Sequence, residues 1–134
     1  MRPKTTALVL ACIIAGLKSS FPAETDDCGS ENNQRQMNSC FDHVRQVAEE
    51  ELIRTYQSIF KTTSDKASQQ TLRDSQLGWV TYRDKWCEFQ SSGVRGGTVY
   101  PTILAICLTD KIRTRNEELK RILKCEEGDL SCPR

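Results

Sequence analysis

Histidine is almost missing from this chain, with His43 alone in 134 residues, and no CxxC pair, GxSxG, HExxH or phosphate-cradling glycine motif occurs. Imidazole is the usual base beside a nucleophile and a common neutral metal ligand. His43 stands three residues from Cys40 with nothing near it in sequence to complete a ligand set or a catalytic pair, so it reads as a surface residue. The glycine-rich stretch QSSGVRGG, residues 90–97, lacks the lysine and the strand context that phosphate binding requires. Glu49, Glu50 and Glu51 are sequential, so a helix would splay them round its surface and not oppose them across a cleft. No enzyme activity, no cofactor and no metal is expected.

Charge of one sign is also missing. Nineteen Lys and Arg stand against eighteen Asp and Glu, which argues against nucleic acid, whose binding is led by a basic footprint. Long apolar runs are absent as well. The longest, residues 7–17, spans eleven positions, whereas crossing a bilayer takes about 20. Arg2 and Lys4 precede that run and small or turn residues follow it, which is the layout of a secretory signal peptide over residues 1–23, cut after Ala23 or, as a fallback, Ser19. VLAC, residues 9–12, has the form of a lipoprotein box, but about five apolar residues before Cys12 are fewer than the ~7 an export signal normally needs. Removing residues 1–23 takes three cations and no anion, leaving sixteen against eighteen, or −2.

What the chain does have is cysteine. Without Cys12 six remain, Cys28, Cys40, Cys87, Cys107, Cys125 and Cys132, and an even count in a short exported chain reads as disulfides. Six cysteines allow fifteen pairings. Neighbours joined across turns are the simplest of these: Cys28 with Cys40, Cys87 with Cys107, Cys125 with Cys132.

The apolar pattern is helical. Met37, Phe41, Val44, Ala48, Leu52, Tyr56 and Ile59 recur at steps of three or four, one face of a long helix that Asn33 or Ser30 could cap. KTTSDKASQ, residues 61–69, breaks the pattern and offers Ser64 as the next cap. A second helix, roughly residues 65–89, presents Leu72, Gln76, Trp79, Arg83 and Trp86 or Cys87 on one face. Gly78 weakens it by about 1 kcal/mol against alanine, which points to a close packing contact. After the 90–97 loop, Pro101 suits a first helical turn, and Ile103, Ile106, Cys107, Leu119, Ile122 and Leu123 form the stripe of a third helix. Residues 111–121 mix both signs, as a solvated face does. The expected fold is all-α, a small disulfide-stapled bundle of about three helices, because so small a core needs staples.

The densest stretch is LRDSQLGWVTYRDKWC, residues 72–87. Arg83 is placed to act as a buried fork toward a glutamate or backbone carbonyls, its guanidinium stacked on a tryptophan. Polar and aromatic groups on the inner face are a structural network in the first instance. Asp74, Thr81, Asp84 and Lys85 fall on the outer face.

The order Cys28, QMNSC ending at Cys40, AEEELIRTY at 48–56, the 72–87 stretch, GG at 96–97 and CLTDKIRTRNEEL at 107–119 resembles the LprI-like lysozyme inhibitor domain of bacterial exported proteins. Its most specific part is carried here by Leu72, Arg73, Gln76, Trp79, Tyr82, Arg83, Asp84 and Cys87, with Met37, Asn38, Leu52, Tyr56, Arg115 and Leu119 matching further positions. Glu49, Ile53 and Ile112 depart from the family's usual Asp, Asn and Thr. The resemblance makes residues 24–134 one helical domain, its family core about 28–119 and its stapled tail 120–134. It implies a periplasmic or secreted protein that binds lysozyme and blocks cell-wall hydrolysis. A lysozyme cleft holds two catalytic carboxylates, so Ser91, Ser92 and Arg95, on the loop between Cys87 and Cys107, are the candidate contacts. The alternative is a periplasmic structural or adaptor module that presents Glu49, Glu50 and Glu51 as an acidic patch.

Overall fold

In the computed structural model residues 28–126, 128–130 and 132 are described. The expected signal peptide lies outside them. Three helices carry the fold: α1 (Gln34–Thr62), α2 (Lys66–Gln90) and α3 (Tyr100–Leu123). Short 3-10 turns at Cys28–Ser30 and Ser92–Val94 precede α1 and follow α2, and no strand occurs among the described residues.

The helix ends follow from capping chemistry. The first N–H groups of a helix have no intrahelical acceptor. Asn33 supplies one, its side chain accepting from the backbone N–H of Gln36 at 3.1 Å. At the start of α2 the cap is Asp65, accepting from Ser68 N–H at 2.7 Å, and not the expected Ser64, because Asp65 is the residue directly before the first helical turn. The intervening turn is closed by Gln69, whose Nε2 donates to the carbonyls of Phe60 and Thr63 at 3.2 and 2.8 Å. Pro101 lies in the first turn of α3, where its missing N–H costs nothing.

Thr102 near the start of α3 meets Gln34 and Asn38 near the start of α1, and Lys120 near its end meets Glu51. α1 and α3 are therefore parallel, and α2 runs antiparallel between their ends. The core is Ala48, Leu52 and Ile59 from α1 with Ile112 and Leu119 from α3, and Leu72 and Trp79 of α2 pack against it. All three expected disulfides are present: Cys28–Cys40, Cys87–Cys107 and Cys125–Cys132. An all-α, stapled three-helix bundle is thus the observed fold.

The stripe of α3 differs from expectation. Cys107 and Leu119 are buried, but Ile103, Ile106 and Leu123 are exposed. The inward face is Thr102, Ala105, Thr109, Ile112, Asn116 and Leu119, at steps of three and four. Polarity hid it. Thr109 meets its own hydrogen-bond need by donating to the Ala105 carbonyl at 2.8 Å, so a threonine sits in the interface at little cost. Residues 111–121 are accordingly not a wholly solvated face, since Ile112 and Asn116 are both buried. Gly78 also departs from expectation. A Cβ built there meets nothing within 4 Å, so no close contact explains the glycine.

Candidate partner-binding surface

The inner side of residues 72–87 is a scaffold. Nη1 of Arg83 lies 3.0 Å from both carboxylate oxygens of Glu49 on α1, while its Nε donates to Asp84 at 2.8 Å. The guanidinium stands 5.1 Å over the ring of Trp79, and Arg115 of α3 approaches the same ring at 6.0 Å. Arg115 also donates to Gln76 at 3.3 Å and to Ser75 at 3.0 Å. The fork expected of Arg83 is therefore present, with glutamate as its acceptor and tryptophan as its platform. Glu49, one methylene longer than the family's usual residue, still reaches it. Burial alone would lower the Arg83 pKa, but the hydrogen bond it donates to Asp84 and the Glu49 charge outweigh it and leave the pKa raised.

Glu49, Glu50 and Glu51 do not form a shared acidic patch. Glu49 faces Arg83, Glu50 lies 3.7 Å from Arg54, and Glu51 lies 2.8 Å from Lys120. The Lys120 hydrogen bond holds the Glu51 carboxyl below the usual glutamate range, and Glu51 in turn raises Lys120. Each carboxylate thus has a cation within 4 Å, which lessens the net negative charge that an adaptor surface there could present.

The outer side is different in kind. Tyr82, Trp86 and Phe89 follow one another along α2 with ring centroids 6.3 and 6.1 Å apart, and all three are exposed, Phe89 at 70%. The sequence carries the signal, aromatic residues at i, i+4 and i+7 on the flank of the Leu72–Trp79–Arg83 face, and of the two candidates for the end of that face, Trp86 and Cys87, it is Cys87 that is buried. Ile103 and Ile106 of α3, expected in its core stripe, are exposed as well. Between these helices Gln90, Ile103, Ile106, Cys107 and Asp110 line a hollow of about 300 Å³.

The ridge leads into the loop that joins α2 to α3. Its ends are clamped by Cys87–Cys107, and Gly96 turns it at φ +82°, a left-handed conformation that suits glycine. Ser92 and Arg95 are exposed. Ser91 is fully buried, its N–H donating to the Cys87 carbonyl as the helix ends, so its hydroxyl lies under the loop surface and not on it.

Three helices held by three disulfides, with an exposed aromatic ridge beside a clamped loop, define a small all-α, disulfide-stapled domain. The chain belongs to the family described as lysozyme inhibitor LprI, whose profile matches residues 25–119. It is 29% identical over 141 positions to an uncharacterized protein of Rhizobium meliloti (strain 1021), with 96% of this chain and 100% of that protein covered. No solved structure matches the chain.

Proposed function

We propose that the protein is exported and acts outside the cytoplasm as a lysozyme inhibitor, binding the enzyme and blocking wall hydrolysis without chemistry of its own. Family membership over residues 25–119 carries this reading. Three disulfides in a short chain suit an oxidising compartment, and no helix among the described residues is long and apolar enough to cross a membrane.

The contact we assign is the 91–99 loop. A glycosidase cleft is edged by paired carboxylates, and Arg95 offers a permanent cation with five donors in a planar fork. Ser92 adds a hydroxyl. Association is penalised by the ordering of loops, and the Cys87–Cys107 bond together with the buried Ser91 reduces that penalty before the partner arrives. The test is turnover of a wall substrate by lysozyme with residues 24–134 in micromolar excess. Unchanged turnover ends the inhibitor reading. Arg95→Ala with Ser92→Ala should weaken inhibition, and full inhibition by that variant would end only the loop assignment.

A further inference from the structure

The loop is small for a stable complex, and the larger exposed feature lies next to it. A specific interface buries about 800 Å² on each partner, and its energetic centre is enriched in tryptophan, tyrosine and arginine. Tyr82, Trp86 and Phe89 supply two of those types in one exposed row. The row ends at Phe89, and the loop bearing Ser92 and Arg95 begins two residues later. A partner that reaches Arg95 thus lies within reach of the ridge.

The neighbouring hollow has a definite charge preference. Ile103 and Ile106 give it apolar walls, and its polar lining is the Asp110 carboxylate and the Gln90 side chain. Gln90 Oε1 lies 3.2 Å from the sulfur of Cys107, but that sulfur is bonded to Cys87 and has no hydrogen to donate. The oxygen stays open to a donor. Asp110 is 72% exposed and is met on one side by Lys111 at a long 3.8 Å. Lys111 Nζ also stands 5.9 Å over the Trp86 ring. This corner already attracts one ammonium between a carboxylate and an aromatic face. A hollow lined by two isoleucines together with a carboxylate-bearing and an amide-bearing residue suits the apolar stem and cationic head of a lysine or arginine side chain.

We propose that the Tyr82, Trp86 and Phe89 ridge and the Gln90–Asp110 hollow together seat lysozyme, with a lysine or arginine of the enzyme entering the hollow while Arg95 faces its cleft. The proposal rests on the inhibitor reading above and adds where, and by what chemistry, the enzyme is held. Trp86 lies one turn before Gln90 on the same side of α2, so an inserted cation would be flanked by the indole as Lys111 now is. The incoming head would compete with Lys111 for the Asp110 carboxylate, which Lys111 meets only at 3.8 Å.

The experiment measures lysozyme binding and inhibition by residues 24–134 and by the variants Trp86→Ala, Phe89→Ser, Asp110→Asn and Asp110→Lys. Ile53→Ser, an exposed apolar change on α1, is the control. Trp86→Ala and Phe89→Ser should each weaken binding about tenfold or more, and Asp110→Lys should weaken it more than Asp110→Asn. The control should bind as the parent does. Circular dichroism and the thermal midpoint show whether each variant is folded, and Asp110→Asn keeps the test open should Trp86→Ala be unfolded. A parent that binds lysozyme with all four variants unchanged overturns the surface and leaves the inhibitor reading intact. A parent that does not bind overturns both. A concentration-dependent dimer abolished by Phe89→Ser, with lysozyme binding unaffected, assigns the ridge to a second copy and also overturns the proposal.

Discussion

Arg83 places a single nitrogen, Nη1, 3.0 Å from each oxygen of the Glu49 carboxylate while its guanidinium lies over Trp79. One side chain of α2 thereby fixes α1 and orders the ring that α3 also touches. Its side chain is only 11% exposed and Glu49 is 29% exposed, which puts the pair between a surface ion pair and a fully desolvated one. Arg83→Met should cost about 1.5–3 kcal/mol in chemical denaturation, the range for hydrogen bonds to charged groups. A double-mutant cycle with Glu49→Gln should show a coupling of at least ~0.5 kcal/mol. Strict additivity would show that the pair is incidental.

Gly78 lies in mid-helix, exposed, with open space where a Cβ would go. Replacing it removes chain entropy from the unfolded state and adds no clash. Gly78→Ala should stabilise by about 0.5–1 kcal/mol, seen as a thermal midpoint several degrees higher. No gain would mean that this surface of α2 is held by something outside the bundle.

The disulfides should be unequal. Cys87–Cys107 spans twenty residues, joins the end of α2 to α3 and is buried, whereas Cys125–Cys132 spans seven and holds a tail whose Cys125 is exposed. Removing the first by paired Cys→Ala changes should cost about 2–5 kcal/mol and should weaken lysozyme inhibition by freeing the loop. Removing the second should change the unfolding midpoint little. Equal losses would contradict this ranking.

Glu51 and Lys120 define a pH dependence at both extremes. The Glu51 pKa is lowered by its Lys120 hydrogen bond, so its contribution is present above the ordinary value of about 4.3 and is lost as pH falls through the folded value. The Lys120 pKa is raised, so its contribution is present below about 10.4 and is lost as pH rises through the folded value. Both side chains are more than a third exposed, which limits the effect to about 1 kcal/mol or less. Glu51→Gln should flatten the acid limb of a stability profile measured from pH 7 to 3. An acid limb as steep as the parent's would assign that limb to other carboxylates.

Much of this fold was legible before any coordinates. The three helices, the Asn33 cap, the inward face of α1 and the three disulfides follow from local rules: apolar steps of three and four, capping residues, and cysteines separated by single turns. Arg83 was readable because a guanidinium three or four residues from tryptophans on an inward stripe has few ways to be satisfied. Three expected members of the α3 stripe proved exposed for a common reason. Periodicity ranks residues by apolarity, and it placed Ile103, Ile106 and Leu123 inward while passing over Thr102, Thr109 and Asn116. The helix was found and its rotation was not.

Sequence by itself determined the helices, the six cysteines and family membership, because capping and periodicity act over a few residues. The neighbour pairing of those cysteines was only the simplest of fifteen until the fold showed it. Tertiary structure alone decided the rotation of α3 against α1, and that rotation made the surface. Parallel packing brought Thr102 to Gln34 and Asn38 and brought Glu51 to Lys120, which left Ile103 and Ile106 exposed. The bonds that set it join residues more than sixty positions apart. No local rule reaches that far, so only the folded chain shows which apolar side chains are left exposed.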